Sequence, residues 1–421
     1  IYTLSLHDAL PIFGREGDAR PMIERLIKGR LLELAGKYPV VSVTGPRQSG
    51  KTTLVRDAFP DYEYLSFENP DVRRSFDEDP KSFLLRYDSQ VIFDEAQRVP
   101  DLFSYLQGVV DESGAAGRFI LTGSQNFLLM DAVSQSLAGR VALLTLLPLS
   151  YEELSQAGIA PQSMEQWLFQ GGYPRLYDAD IDPETFFPSY VQTYLERDVR
   201  RELGVRRLRE FSIFIQLCAL RTGQRLNVSS LASDSGVALN TAKSWLSVLE
   251  ASHIVCFLEP YFSNRGKSLV KTKKLHFLDA GLACSLIGIQ SPQELLVSEH
   301  RGPIFESAIL SEVLKSGYAK ARVPHLSFWR DVAQHEVDLV VQRGLRPCYA
   351  IEIKSSATYA PRFFTVLNQV AADELGLPAE SQAVVYGGDL SLGTRKGQLI
   401  SYKDVAAAAD GWWTARPGAK P

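Results

Sequence analysis

No apolar run in this 421-residue chain reaches the ~18–20 residues that span a bilayer. The longest, from Val141 to Leu149, is interrupted by Thr145 and Pro148 and reads as a buried strand. No membrane partner is therefore expected. Cysteine is scarce as well. The four (Cys218, Cys256, Cys284, Cys348) have no CxxC spacing and sit among apolar neighbours. That excludes a disulfide scaffold, argues against a zinc site, and predicts free buried thiols in a reducing, cytoplasmic compartment. Repeats and low-complexity tracts are absent. With 45% hydrophobic and 22% charged residues, the chain is neither disordered nor collagen-like, and its length suits two to four domains.

A net charge of −4 conceals an asymmetry. Between Val205 and Leu275 stand 11 lysines and arginines against 4 acids, a local +7, so the remainder carries −11. One basic stretch in an acidic chain predicts an anionic partner at one place.

Residues 1–21 read as a non-native extension. The stretch from Ile1 to Phe13 has no Lys or Arg, so it lacks the basic n-region of a secretory signal, and Tyr2 to Ile12 resembles a translated sequencing adapter. The natural start is expected at Met22, opening an amphipathic helix to about Leu34. After it, Pro39–Thr44, Tyr62–Phe67, Val91–Asp94, Phe119–Thr122 and Val141–Pro148 read as strands separated by helices. That alternation predicts a parallel sheet over 22–150. A helical segment is expected over 151–204, a basic one over 205–285, a second α/β unit over 286–407 and a frayed tail over 408–421.

Gly45-Pro46-Arg47-Gln48-Ser49-Gly50-Lys51-Thr52 fits G-x-x-x-x-G-K-[ST], placed after a strand and before a helix. Such a loop wraps backbone N–H groups round phosphate oxygens, and the helix N-terminus adds positive charge. These eight residues and Thr53 are the expected ATP contacts. Lys51 would bridge the β- and γ-phosphates, and Thr52 would supply a hydroxyl to Mg²⁺. Asp94, ending an apolar strand, would hold the Mg²⁺ shell, and Glu95 would deprotonate the attacking water. Ser124 or Gln125 is a candidate γ-phosphate sensor. Arg140 is a candidate transition-state arginine or, equally, a helix-end ion pair.

These motifs, with Asp94-Glu95-Ala96-Gln97, Leu121 to Ser124 and Ser136 to Arg140, resemble the AAA-type ATPases of a prokaryotic family with a C-terminal domain of unknown function. The resemblance runs on through Gly171 to Pro174, Tyr194 to Asp198, Leu278 to Leu282 and Gly302 to Glu306, covering Met22 to about Ala407. It implies an ATPase with a winged-helix segment and a nuclease-like terminal fold.

Leu226 to Glu250 reads as helix, Gly236 turn, helix. The second helix carries an apolar stripe of Ala242, Trp245, Leu246 and Leu249. Asn240, Thr241, Lys243 and Ser244 lie off that stripe, where a recognition helix meets a major groove. The strand from Ile254 to Phe262 and the basic run Arg265 to Lys274 look like a wing. DNA contact is expected through Lys243, Arg265, Lys267, Lys271, Lys273 and Lys274; the alternative is a spacer or protein-binding segment with a solvated basic face.

Further on, Asp338 lies in an apolar strand, and Glu352 and Lys354 share a face of the next. Asp338 followed by Glu352-x-Lys354 resembles a restriction-endonuclease core, where two acids bind Mg²⁺ and a lysine positions water. Glu306 would complete the set, and a structural ion pair without chemistry is the alternative. His335 is expected at an exposed strand edge. The expected class is thus α/β: a parallel-sheet P-loop ATPase domain, a helical and winged-helix middle, and a restriction-endonuclease-like α/β domain. ATP and Mg²⁺ are the expected cofactors. DNA and a second copy of the chain are the candidate partners.

Overall fold

The computed structural model describes residues 22–124, 136–195, 208–261 and 272–414. Residues 1–21, Gln125, Arg265, Lys267 and Lys271 lie outside these ranges, as do three residues of the Tyr194 to Asp198 motif.

The first sheet is five-stranded and wholly parallel: β1 (Val40–Thr44), β2 (Glu63–Ser66), β3 (Val91–Asp94), β4 (Phe119–Gly123) and β5 (Val141–Thr145), in the order β2-β3-β4-β1-β5. Val40, Val41 and Val43 are fully buried because helices cover both faces. β4 lies between β1 and β3, so the polar ends of β1, β3 and β4 gather at one edge. That edge carries the candidate site.

The expected helix from Met22 begins later, at Lys28, and runs to Ala35. The preceding residues stay out of the helix because Arg25 is pulled into a buried network. Its guanidinium donates to Glu153 Oε1 at 3.0 Å, to Ser49 O at 2.7 Å and to Leu147 O at 2.7 Å. Short helices follow β5, two of them opened by reciprocal capping boxes at Ser150/Glu153 and Ser163/Gln166.

The basic region folds as helices Leu208–Ala219, Val228–Asp234 and Leu239–Ala251, with β6 (Gln224–Arg225), β7 (Val255–Pro260) and β8 (Lys274–Phe277). Ala242, Trp245, Leu246 and Leu249 are buried, and Phe211 and Phe214 meet the Trp245 ring edge-on. β7 and β8 pair antiparallel, and β6 pairs with β8.

The chain continues through the long helix Arg301–Ala319 into β9 (His325–Arg330), β10 (Glu336–Arg343), β11 (Arg346–Lys354), β12 (Gln382–Tyr386), β13 (Leu392–Thr394) and β14 (Gly397–Ser401). β7 pairs parallel with β9, so a nine-stranded sheet, β13-β14-β12-β11-β10-β9-β7-β8-β6, runs across the division expected at 285/286. The molecule is mixed α/β, as the alternating pattern predicts. All four cysteines are free, Cys256 only partly covered. Burial pushes its thiol up to about 12, and the other three up as well.

Candidate functional site

The loop after β1 turns on backbone that only glycine accepts. Gly45 has φ 147°, and a Cβ there would lie 2.0 Å from Leu146 O. Gly50 caps the helix Lys51–Ala58 at φ 91°. Lys51 is buried, and its ammonium donates to Gly45 O at 3.0 Å and Pro46 O at 2.8 Å. Ser49 Oγ is buried without a hydrogen-bond partner among the described residues. A buried hydroxyl left unpaired costs about 1–3 kcal/mol, and a phosphate oxygen in the loop would be an acceptor for it. Arg47 faces Glu68 at 3.9 Å, and Thr53 is exposed.

Asp94 is the hub of the sheet edge. Its Oδ1 accepts from Thr52 Oγ1 at 3.2 Å and from the Thr122 hydroxyl; its Oδ2 accepts from the Tyr64 hydroxyl at 2.7 Å. Burial, then the Asp94 charge, pushes the Tyr64 phenol up. Glu95 takes a left-handed backbone, φ 55°. Its Oε2 accepts from Gln97 Nε2 at 2.6 Å and from Ser124 Oγ at 3.3 Å.

Loop, Asp94, Glu95 and Ser124 thus stand together. Arg140 does not join them: it precedes β5, at the far end of the sheet, and pairs with Asp111 on the helix Asp101–Ser113. Tyr64, Thr122, Gln97 and Arg25 carry no sequence signal for their places here, except that Thr122 and Gln97 fall inside the quoted motifs. Thr52 and the Asp94 carboxylate are a donor set that fits Mg²⁺.

A second cluster lies between the helix Arg301–Ala319 and the C-terminal sheet. Lys354 pairs with Glu352, and Asp338 Oδ2 accepts from Ile353 N at 2.8 Å. Burial, then the Asp338 charge, raises Glu306 and Glu352 to about 8. Lys274 corrects the sequence reading. It is 2% exposed, not on a basic loop, and its ammonium pairs with Glu306 at 2.9 Å and with Glu336. It offers nothing to DNA. Burial opposes its charge, but Glu306, Asp338 and Glu336 together push it up. Among the other expected DNA contacts, Lys243 is exposed, and Lys273 is exposed but pairs with Glu259 at 2.6 Å. His335 is exposed and paired with Asp331. Among the described residues no three His, Cys, Asp or Glu side chains are placed to share a metal ion.

Residues 37–155 match the AAA domain family, 161–293 a domain of unknown function (DUF8612) and 301–405 another (DUF4143). Uncharacterized protein Rv2008c of Mycobacterium tuberculosis is 33% identical over 375 residues, 86% of this chain and 79% of that protein. The chain belongs to its family. A Haemophilus influenzae protein is 26% identical over 48% of this chain and 52% of its own length. Among solved structures, the Walker-type ATPase paby2304 of Pyrococcus abyssi aligns at 16% identity with a TM-score of 0.42, covering 63% of this chain and 96% of that one. This chain therefore joins an AAA-type P-loop ATPase domain to a C-terminal domain of unknown function. No helix among the described residues is long and apolar enough to cross a membrane.

Proposed function

We propose that this chain is an ATP-hydrolysing switch whose nucleotide state acts on a winged-helix-like, DNA-binding segment. The observation that carries the hydrolytic part is the division of labour between two adjacent carboxylates. Asp94 accepts from the Thr52 hydroxyl, while Glu95 is held by Gln97 and Ser124. Lys51 and the loop N–H groups would hold the phosphates. Thr52 and Asp94 would hold Mg²⁺, which supplies charge neutralisation on the phosphates when bound. Glu95 takes the proton of the attacking water, a role typically worth ~10²–10⁴-fold. Lys51→Ala should abolish binding of a fluorescent ATP analogue. Glu95→Gln should keep that binding and lower turnover by about 10²-fold or more; ordinary hydrolysis by Glu95→Gln would sink the base assignment.

DNA binding rests on the local +7 and on the exposed Asn240, Lys243 and Ser244 of the helix Leu239–Ala251. Lys243, Arg265, Lys267 and Lys271 are the proposed contacts. Affinity should fall steeply with salt, each phosphate contact contributing a slope of about −0.9 in log–log form, and Lys243→Ala should reduce that slope by about one contact. A salt-independent affinity would refute phosphate contact. For the C-terminal sheet we propose a restriction-endonuclease-like core built on Glu306, Asp338, Glu352 and Lys354.

A further inference from the structure

The acids of the C-terminal cluster face the wrong kind of cation for a metal centre. Glu306 Oε1 is 2.9 Å from the Lys274 ammonium and 3.9 Å from His276 Nε2. Glu336 takes Lys274 on one oxygen and Arg330 on the other, the latter at 2.5 Å. Asp338 has one oxygen on the Ile353 amide, and Glu352 has one on Lys354. Glu352 Oε2 is buried without a hydrogen-bond partner among the described residues. A hard divalent cation takes about six oxygen ligands, and as they stand no three of these described acids are placed to share one. The same acids do satisfy an ammonium. A lysine at 2% exposure is tolerable only where several carboxylates compensate it, and these acids do so.

Lys274 does not belong to the C-terminal stretch. It opens β8, which pairs with β6 and β7 of the helix-turn-helix segment, whereas Glu306 and Glu336 come from the later helix and from β10. We propose that the acidic centre of the C-terminal sheet is a receptor for the Lys274 ammonium, which stands where a metal ion would and closes the centre to divalent cations while β8 is docked. The cluster then serves as an interdomain lock rather than as a loaded nuclease centre.

The test is a Mn²⁺ titration of the nucleotide-free full chain, with free Mn²⁺ read by electron paramagnetic resonance. Wild type should show no site that depends on Asp338. Lys274→Met should gain one, at least tenfold tighter than any in wild type, and the added change Asp338→Asn should remove it. A wild-type site lost in Asp338→Asn overturns the proposal. So does a folded Lys274→Met chain that gains nothing. If Lys274→Met does not fold by circular dichroism, Lys274→Gln with Glu336→Gln removes one charge of each sign; the same gain is expected, and its absence overturns the proposal equally. Fluorescent ATP binding, read on the same samples, reports on Lys51 separately, so failure of the ATPase reading would not be mistaken for failure of the lock.

Discussion

His276 and His253 show what burial does to a single ring. His276 bonds Ser307 Oγ through Nδ1 at 3.0 Å, and burial followed by the Lys274 charge holds it down at about 3. His253, in the turn before β7, is held at about 4 by burial and by Lys51. Both rings are neutral in the fold and ordinary, near 6.5, when unfolded. Between about 4 and 6.5 the unfolded chain therefore binds more protons, and these residues make stability rise with pH through that window. The measurable quantity is the difference between wild type and His276→Gln in denaturant unfolding at pH 5 and pH 7. The substitution should favour the fold more at pH 5 than at pH 7, and an equal effect at both values would contradict the neutral ring. Composition counts six histidines but does not say which are buried; neighbours distant in sequence decide that.

Among elements, the turn Gly171-Gly172 depends on one carboxylate from another part of the chain. Asp279 Oδ2 accepts from Gly172 N at 2.8 Å, and its Oδ1 accepts from Leu282 N at 2.9 Å to cap the helix Ala280–Ile287. A Cβ on Gly171 would lie 2.5 Å from Asp279 Oδ1. Asp279→Ala strands two buried amides at about 1–3 kcal/mol each. Thermal unfolding should shift down by several degrees, and more than in Asp279→Asn, which keeps an acceptor. Equal melting of the two variants would reject this account. The quoted Leu278 to Leu282 and Gly171 to Pro174 motifs are thus two halves of one joint. Their residues were legible in the sequence; their contact was not, because it spans 107 positions.

Across the whole molecule the parts are tied by buried charge and by shared apolar packing. One hydrophobic cluster runs from Ile23 and Leu149 through Trp245 to Trp412. Arg25 joins the N-terminal segment, the phosphate loop and Glu153, and Glu312 accepts from Tyr151 N at 2.9 Å while Lys315 donates to Leu149 O at 2.9 Å. Breaking one partner of a buried ion pair typically costs about 3–5 kcal/mol. Arg25→Ala should therefore lower the melting temperature and also weaken ATP binding, because the Ser49 carbonyl loses its anchor. A variant that melts early but binds ATP normally would separate the loop from this network.

Sequence by itself determined the P-loop and the helix Lys51–Ala58, because glycine geometry and a buried β-branched run act locally. It also determined the apolar strand ending at Asp94, through a continuous apolar run, and the stripe around Trp245 on one helix, through its period. Only the tertiary structure decided which charges meet. Lys274 reads as one more lysine of a basic run, yet β8 carries it under carboxylates from Glu306 and Glu336, 32 and 62 positions away. Arg140 reads equally as a catalytic arginine or as an ion pair, and the pairing with Asp111, at the edge remote from the loop, is what the fold supplies. A side chain's charge is a property of its residue. Its burial and its partners belong to the sheet that brings distant residues together.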